Sequence, residues 1–194
     1  MKRRITPEDI MPLDQYAPLR AELRRSLIER KKTRRLAIGP YATAQFENYD
    51  TMWHQVQEML FVEKGGEAQL EGELAAYNPL IPNGTELTAT VMFEVEDPTR
   101  RQRLLALLGG VETMMGLEFA GERVVGQPEA DVERTTAEGK ASSVQFLHFP
   151  FSAAQIDKFR QAGTQVLFAI RHPGYEHAAA LTESMRAALA LDFA

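Results

Sequence analysis

An α+β fold, a mostly antiparallel sheet with helices packed on it, follows from three observations. Leu87, Ala89, Val91, Phe93 and Val95 alternate with Glu86, Thr88, Thr90, Met92 and Glu94, the period-two pattern of a half-buried strand. Helix starts and stops recur along the chain, among them Thr6-Pro7, Asp97-Pro98, Gly65-Gly66 and Gly109-Gly110. The helical and extended segments do not alternate one for one, so a doubly wound parallel sheet is not expected. With no internal repeat, low-complexity tract or linker, residues 1–194 read as a single domain, long enough to bury a core.

The elements follow in order. Thr6 is an N-cap, with Pro7 at the first helical position and acids in the first turn, and Pro12 ends that piece. Asp14 then caps a longer helix to about Lys32. This makes 6–33 a basic helical segment, with Tyr16, Leu19, Leu23 and Leu27 on one side. Arg35–Gly39 and Ala42–Phe46 read as short strands parted by Gly39-Pro40. Phe46–Glu63 is a helix with its lead-in, capped by Asp50, and Glu67–Tyr77 is a second helix closed by Asn78 and Pro79. Beyond the alternating strand, Asp97-Pro98 opens a helix to about Leu108. Met114–Ala120 is ambiguous, and 121–141, polar and rich in glycine, reads as a long hairpin or loop. Val144–Phe151 and Gln165–Arg171 are strands flanking a helix over Ser152–Gln161. His177–Leu191 is a final helix with Leu181, Met185, Ala188 and Leu189 inward.

Composition narrows the chemistry. The absence of Cys removes disulfides, thiolate metal sites, iron–sulfur ligation and a Cys nucleophile. No apolar run approaches the roughly 20 residues of a membrane helix, and no apolar core follows the basic N-terminus as in a secretory signal. A cytoplasmic protein is expected. Residues 1–40 hold eleven Lys/Arg against five Asp/Glu, so with a net charge of −5 the rest of the chain carries −11. A basic arm of this kind suits a polyanion, its own acidic body or a second subunit. The acidic pI near 5.5 argues against nucleic acid as the dedicated partner.

The densest chemistry lies between Phe46 and Glu63. On a helical wheel Met52, Trp53, Val56, Met59 and Leu60 share one broad face, and Thr51, His54, Gln55 and Glu58 form the opposite stripe. Phe61 and Val62 flank that stripe one turn on, so the helix is expected to be covered on both sides. Glu47, Asn48, Thr51, Gln55 and Glu58, with Tyr77 and Asn78, are therefore candidates to line a ligand pocket. His54 and Glu58, at i and i+4, could share a divalent metal, with Glu63 or Glu47 adding an oxygen. A hydrogen-bonded network or simple helix support explains the same spacing. Arg34 and Arg35, beside Gly39-Pro40, could bind an anion, or simply be solvated.

Other signatures are absent. There is no Glu-x-x-His, so the usual ferritin-like di-iron pattern is missing, and no Walker, dinucleotide-binding or nucleophile-elbow motif occurs. His172, Tyr175 and His177 lie near one another in sequence, and with His148 they form a set that three-His metal binding or an ordinary polar loop would both explain.

Arg34-Arg35-x-x-x-Ile38-Gly39-Pro40, Phe46-Glu47-Asn48-x-x-Thr51, Gln55-x-Gln57-Glu58-Met59, Glu63 and Tyr77-Asn78-x-Leu80-Ile81-Pro82 together resemble a bacterial family known as the domain of unknown function numbered 3501. The likeness extends to the opening Thr6-Pro7-Glu8-Asp9-Ile10 and the closing Tyr175-x-His177 and Leu191-Asp192, while 98–141 contributes little. The resemblance implies no particular activity. It does imply a gene neighbourhood of rubrerythrin and an iron–sulfur oxidoreductase, hence a role in peroxide or oxygen defence. The expected function is a cytosolic accessory or ligand-binding protein with a redox-protein partner and homo-oligomerisation as an option. The alternative is a metal-dependent enzyme using the His54/Glu58 site.

Overall fold

The alternating segment Glu86–Phe93 becomes the central strand of a five-stranded antiparallel sheet. The computed structural model describes residues 2–129, 135–136 and 139–194; of the expected 121–141 hairpin or loop, 130–134 and 137–138 lie outside the described residues. In chain order the strands are β1 (Arg35–Ile38), β2 (Ala42–Phe46), β3 (Glu86–Phe93), β4 (Met115–Phe119), β5 (Glu122–Val125), β6 (Gln127–Pro128), β7 (Val144–Pro150), β8 (Val166–His172) and β9 (Tyr175–Ala180). The first sheet has the order β1-β2-β3-β7-β6 and the second β5-β4-β8-β9, all pairs antiparallel. The helices are α1 (Leu13–Lys31), α2 (Tyr49–Glu63), α3 (Gly66–Tyr77), α4 (Pro98–Leu107), α5 (Ala153–Arg160) and α6 (Glu183–Ala190). The chain adopts the expected α+β class with antiparallel pairing, the strands being shared between two sheets where one was anticipated.

The strands alternate because each sheet buries one face in a shared core. Leu87, Ala89, Val91 and Phe93 of β3 join Phe149 of β7 and Phe168 of β8 in that core. Most of its phenylalanine rings meet edge to face, as in Phe149–Phe168 at 5.6 Å and Phe46–Phe168 at 6.1 Å, while Phe119 and Phe151 stack. A smaller cluster covers the outer face of the first sheet, where Met52, Val56 and Leu60 of α2 pack with Ile5, Leu80 and Ile81. Among the described residues no helix is long and apolar enough to cross a membrane.

Three elements, α2, α1 and the C-terminal segment, depart from the sequence expectation for identifiable physical reasons. Asp50 does not cap α2. Asn48 does, accepting from Thr51 N at 3.0 Å while its own N–H donates to Thr51 Oγ1 at 2.9 Å, and Asp50 instead pairs with Arg30 of α1. Asp14 does not cap α1 either; the extended Pro12 precedes the helix, and Asp14 accepts from Gln15 N. Of the anticipated inner side of α1, Tyr16 is fully buried against Trp53 and Phe61 and Leu23 and Leu27 are half-buried facing α2, whereas Leu19 is exposed.

The third change is at the C-terminus, where the helix expected over 177–191 divides. Residues 175–180 form β9, and only α6, capped by Thr182, is helical. Tyr175 fixes the strand: its hydroxyl accepts from Tyr41 N and Ala42 N at 2.9 and 3.0 Å and donates to Ile38 O at 2.6 Å. Those bonds span the turn between β1 and β2. There Gly39 has φ +66°, and a Cβ would meet the His177 ring at 2.6 Å, so this turn is closed by β9 and needs glycine. Tertiary bonding of this kind overrides the helical preference of Ala178–Ala180.

Candidate functional site

Antiparallel register writes one row of side chains across the outer face of the first sheet. Arg35 pairs with Gln45, Gln45 with Thr90, and Thr90 with Phe146; the neighbouring row runs Thr43, Met92, Val144. Apart from Thr43, these two rows floor a cavity of about 300 Å³. Met52 and Gln55 of α2, with Tyr77 at the end of α3 and Leu80 just beyond it, form its far wall, and Lys31 at the end of α1 stands at its rim with Arg35. The volume is at the lower end of the roughly 300–1,000 Å³ typical of sites for small organic molecules.

Glu47 is the unusual member of the wall. It follows β2 directly, held by its N–H to Thr88 O at 2.9 Å, and is only 4% exposed. Its Oε1 accepts from Thr90 Oγ1 at 2.7 Å, but its Oε2 is buried with no hydrogen-bond partner. Burial pushes the carboxyl above the usual carboxylate range, against the opposing pull of the Thr51 and Thr90 hydroxyls and of the Lys31 and Arg34 charges. An orphaned buried carboxyl oxygen costs free energy that a ligand could recover.

The other candidates from the sequence separate into different tasks. Gln55 and Tyr77 both line the cavity, and burial raises the Tyr77 phenol above its ordinary range while Gln55 opposes it. Asn48 and Thr51 close the α2 cap, and the Thr51 hydroxyl in addition favours the charged form of Glu47. Asn78 ties down the N-terminal segment, accepting from Ile5 N at 2.7 Å and donating to Ile5 O at 3.0 Å. Glu58 faces α1, where it accepts a bidentate pair from Arg20 at 2.8 Å and the Tyr16 hydroxyl at 2.5 Å. Arg20, then Tyr16, hold its carboxyl down to about 2. Arg34 is buried and bidentate to Asp192 at 2.8 Å, so the anion it binds is the chain's own C-terminal carboxylate side chain.

The residues suggested for a metal are not gathered. Glu63 is exposed and receives Gln69 Nε2, Glu58 is committed to Arg20, and among the described residues no cluster of three or more His, Asp or Glu is placed to hold an ion. His54 sits at a crevice of about 100 Å³ between α1 and α2, its Nε2 buried without a partner and its basicity lowered by burial. His148, His172 and His177 go separate ways: His148 to Glu86 at 3.1 Å, His172 to Gly109 O at 3.2 Å, and His177 onto the Tyr175 ring at 4.4 Å.

Reading the sequence one segment at a time missed Gln45, Thr90, Met92, Val144 and Phe146 as cavity residues, because strand pairing brings them together. The outward half of the β3 alternation was the available signal, since Thr90 and Met92 are its polar-side positions.

Comparison with known proteins agrees with this fold. A crystal structure of a novel protein of unknown function from Burkholderia pseudomallei is 34% identical to this chain, superposes with a TM-score of 0.90, and is covered over 98% of this chain and 99% of that one. No curated protein matches. The model of a family described as a protein of unknown function, DUF3501, matches residues 4–193. With that match spanning both sheets, the Glu47 cavity and the Arg34–Asp192 pair, this chain belongs to the DUF3501 family.

Proposed function

We propose that this protein is a cytosolic accessory protein that binds a small organic molecule in the cavity beside Glu47. One observation carries the reading: a carboxyl 4% exposed, with a buried oxygen lacking any partner, in the wall of a 300 Å³ cavity. Unpaired buried polar groups are rare because each costs about 1–3 kcal/mol, and they concentrate where a ligand completes them. The mixed lining supports the same reading, with apolar contacts for the body of a ligand and a few polar groups to orient it.

A ligand-observed NMR screen of polar metabolites against the intact chain tests it. Hits should be lost in Val144→Trp, which fills the cavity from its floor, while the variant keeps its fold by circular dichroism. A library with no hits, or hits indifferent to Val144→Trp, would remove the reading. The redox setting implied by the family resemblance would make the partner a redox protein, to be sought by co-purification from native lysate. The alternative, a metal-dependent enzyme through His54, has in its favour the unpartnered buried Nε2. It requires near-stoichiometric metal in tag-free protein, lost in His54→Ala.

A further inference from the structure

The charges around the Glu47 cavity say more than that something binds there. Lys31 is half-buried at the mouth, and among the described residues its amine makes no hydrogen bond or ion pair. Arg35, on the same rim, shares its guanidinium with Glu94 at 3.0 Å. Arg34 of β1's lead-in is neutralised by Asp192, and Tyr77 from α3 presents a neutral phenol. Apart from Glu47 itself, the charged side chains lining the cavity are both cationic. The remaining wall is apolar, from Met52, Leu80, Met92, Val144 and Phe146.

Resting on the ligand-binding reading above, we propose that the cavity takes a small monocarboxylate with an apolar body, its carboxylate set between the Glu47 carboxyl and the Lys31 amine. The cationic rim attracts an anion and repels an ammonium group. A carboxylate also gives the unpartnered Glu47 oxygen what a buried acid lacks, an acceptor for its proton, in a short charge-assisted bond. The apolar body then covers Met92 and Phe146. Burial already favours the protonated form of Glu47, and a bound anion beside it favours that form further. Binding is therefore linked to protonation: where free Glu47 is ionised, binding takes up one proton from solvent, and affinity falls as pH rises.

Calorimetric titration of the intact chain with three matched probes, hexanoate, hexylamine and hexanol, at about pH 6 and about pH 8 tests the class. Hexanoate should bind at least about tenfold more tightly than hexanol, hexylamine should not bind, and hexanoate affinity should drop at the higher pH. Lys31→Met should weaken hexanoate by about tenfold or more. Glu47→Gln, whose amide still donates, should hold hexanoate within about fivefold and lose the pH dependence. Preference for hexylamine, abolished in Glu47→Gln, would overturn the proposal in favour of an ammonium site. Equal binding of hexanol and hexanoate would overturn it in favour of an uncharged ligand. If no probe binds although the metabolite screen gives hits lost in Val144→Trp, the carboxylate class falls and the ligand-binding reading stands; if neither gives binding, both fall.

Discussion

On its inner face the five-stranded sheet meets its partner through Phe46, Phe149 and Phe168, all wholly buried and packed ring against ring. On its outer face the same strands present Gln45, Thr90 and Met92 to a cavity whose wall holds an unsatisfied acid. The strand alternation that builds one face builds the other. Only the covering differs: a second sheet closes the inner face, whereas α2, α3 and the N-terminal segment leave a gap over the outer one. Stability and recognition are thus assigned to opposite sides of one set of strands.

The comparison can be broken most directly in the core. Phe168→Ala should cost about 3–5 kcal/mol in urea unfolding, while Met92→Ala, on the cavity side and already beside empty space, should cost under about 2 kcal/mol. Equal losses would mean that the outer face is packed as tightly as the inner. Arg34→Met should come next, at about 3 kcal/mol, because it strands the buried Asp192 carboxylate. Tyr16→Phe, which keeps the ring of the one fully buried residue of α1 but removes its hydroxyl's bond to Glu58, should cost about 1.5 kcal/mol.

The smallest effects are the most diagnostic, since two acids near α2 are set in opposite directions. Glu47 is raised in the folded state, so its contribution is fully present below the ordinary value near 4.5 and is lost as pH rises through the folded value. Glu47→Gln should therefore melt with the wild type near pH 4 and above it at about pH 7. Glu58 is held at about 2, so its contribution is present above the ordinary value and lost as pH falls toward 2. Glu58→Gln should melt below the wild type at neutral pH and converge with it in strong acid. Parallel pH profiles for the two variants would contradict the assignment of Glu47 to a ligand and Glu58 to a salt bridge.

How far the sequence foretold this depends on the range of the interaction. The β3 alternation and the Asp97-Pro98 start are local, and both elements form where the pattern puts them. The segment 175–180 is not local. Its alanines favour helix, and only the Tyr175 hydroxyl, bonding to backbone at Ile38, Tyr41 and Ala42, reveals a strand. The site divides in the same way. Glu47, Gln55 and Tyr77 were visible as polar groups on or beside an otherwise apolar helix. Asn48 and Asn78 look alike in sequence, yet are consumed by backbone N–H and C=O groups that a linear reading does not place beside them.

The cross-strand row from Arg35 to Phe146 has an evolutionary consequence. Its four members come from four segments, and nothing but hydrogen-bond phase aligns them. One residue inserted or deleted within β2 would turn Gln45 over to the aromatic side and bring Ala44 or Phe46 into its place, according to the direction of the slip. The cavity can therefore diversify freely by substitution, as in any lineage that retunes a specificity, but insertions and deletions must be kept to the turns. Descendants of this fold should differ in what their outer rows contain long before they differ in the lengths of these strands.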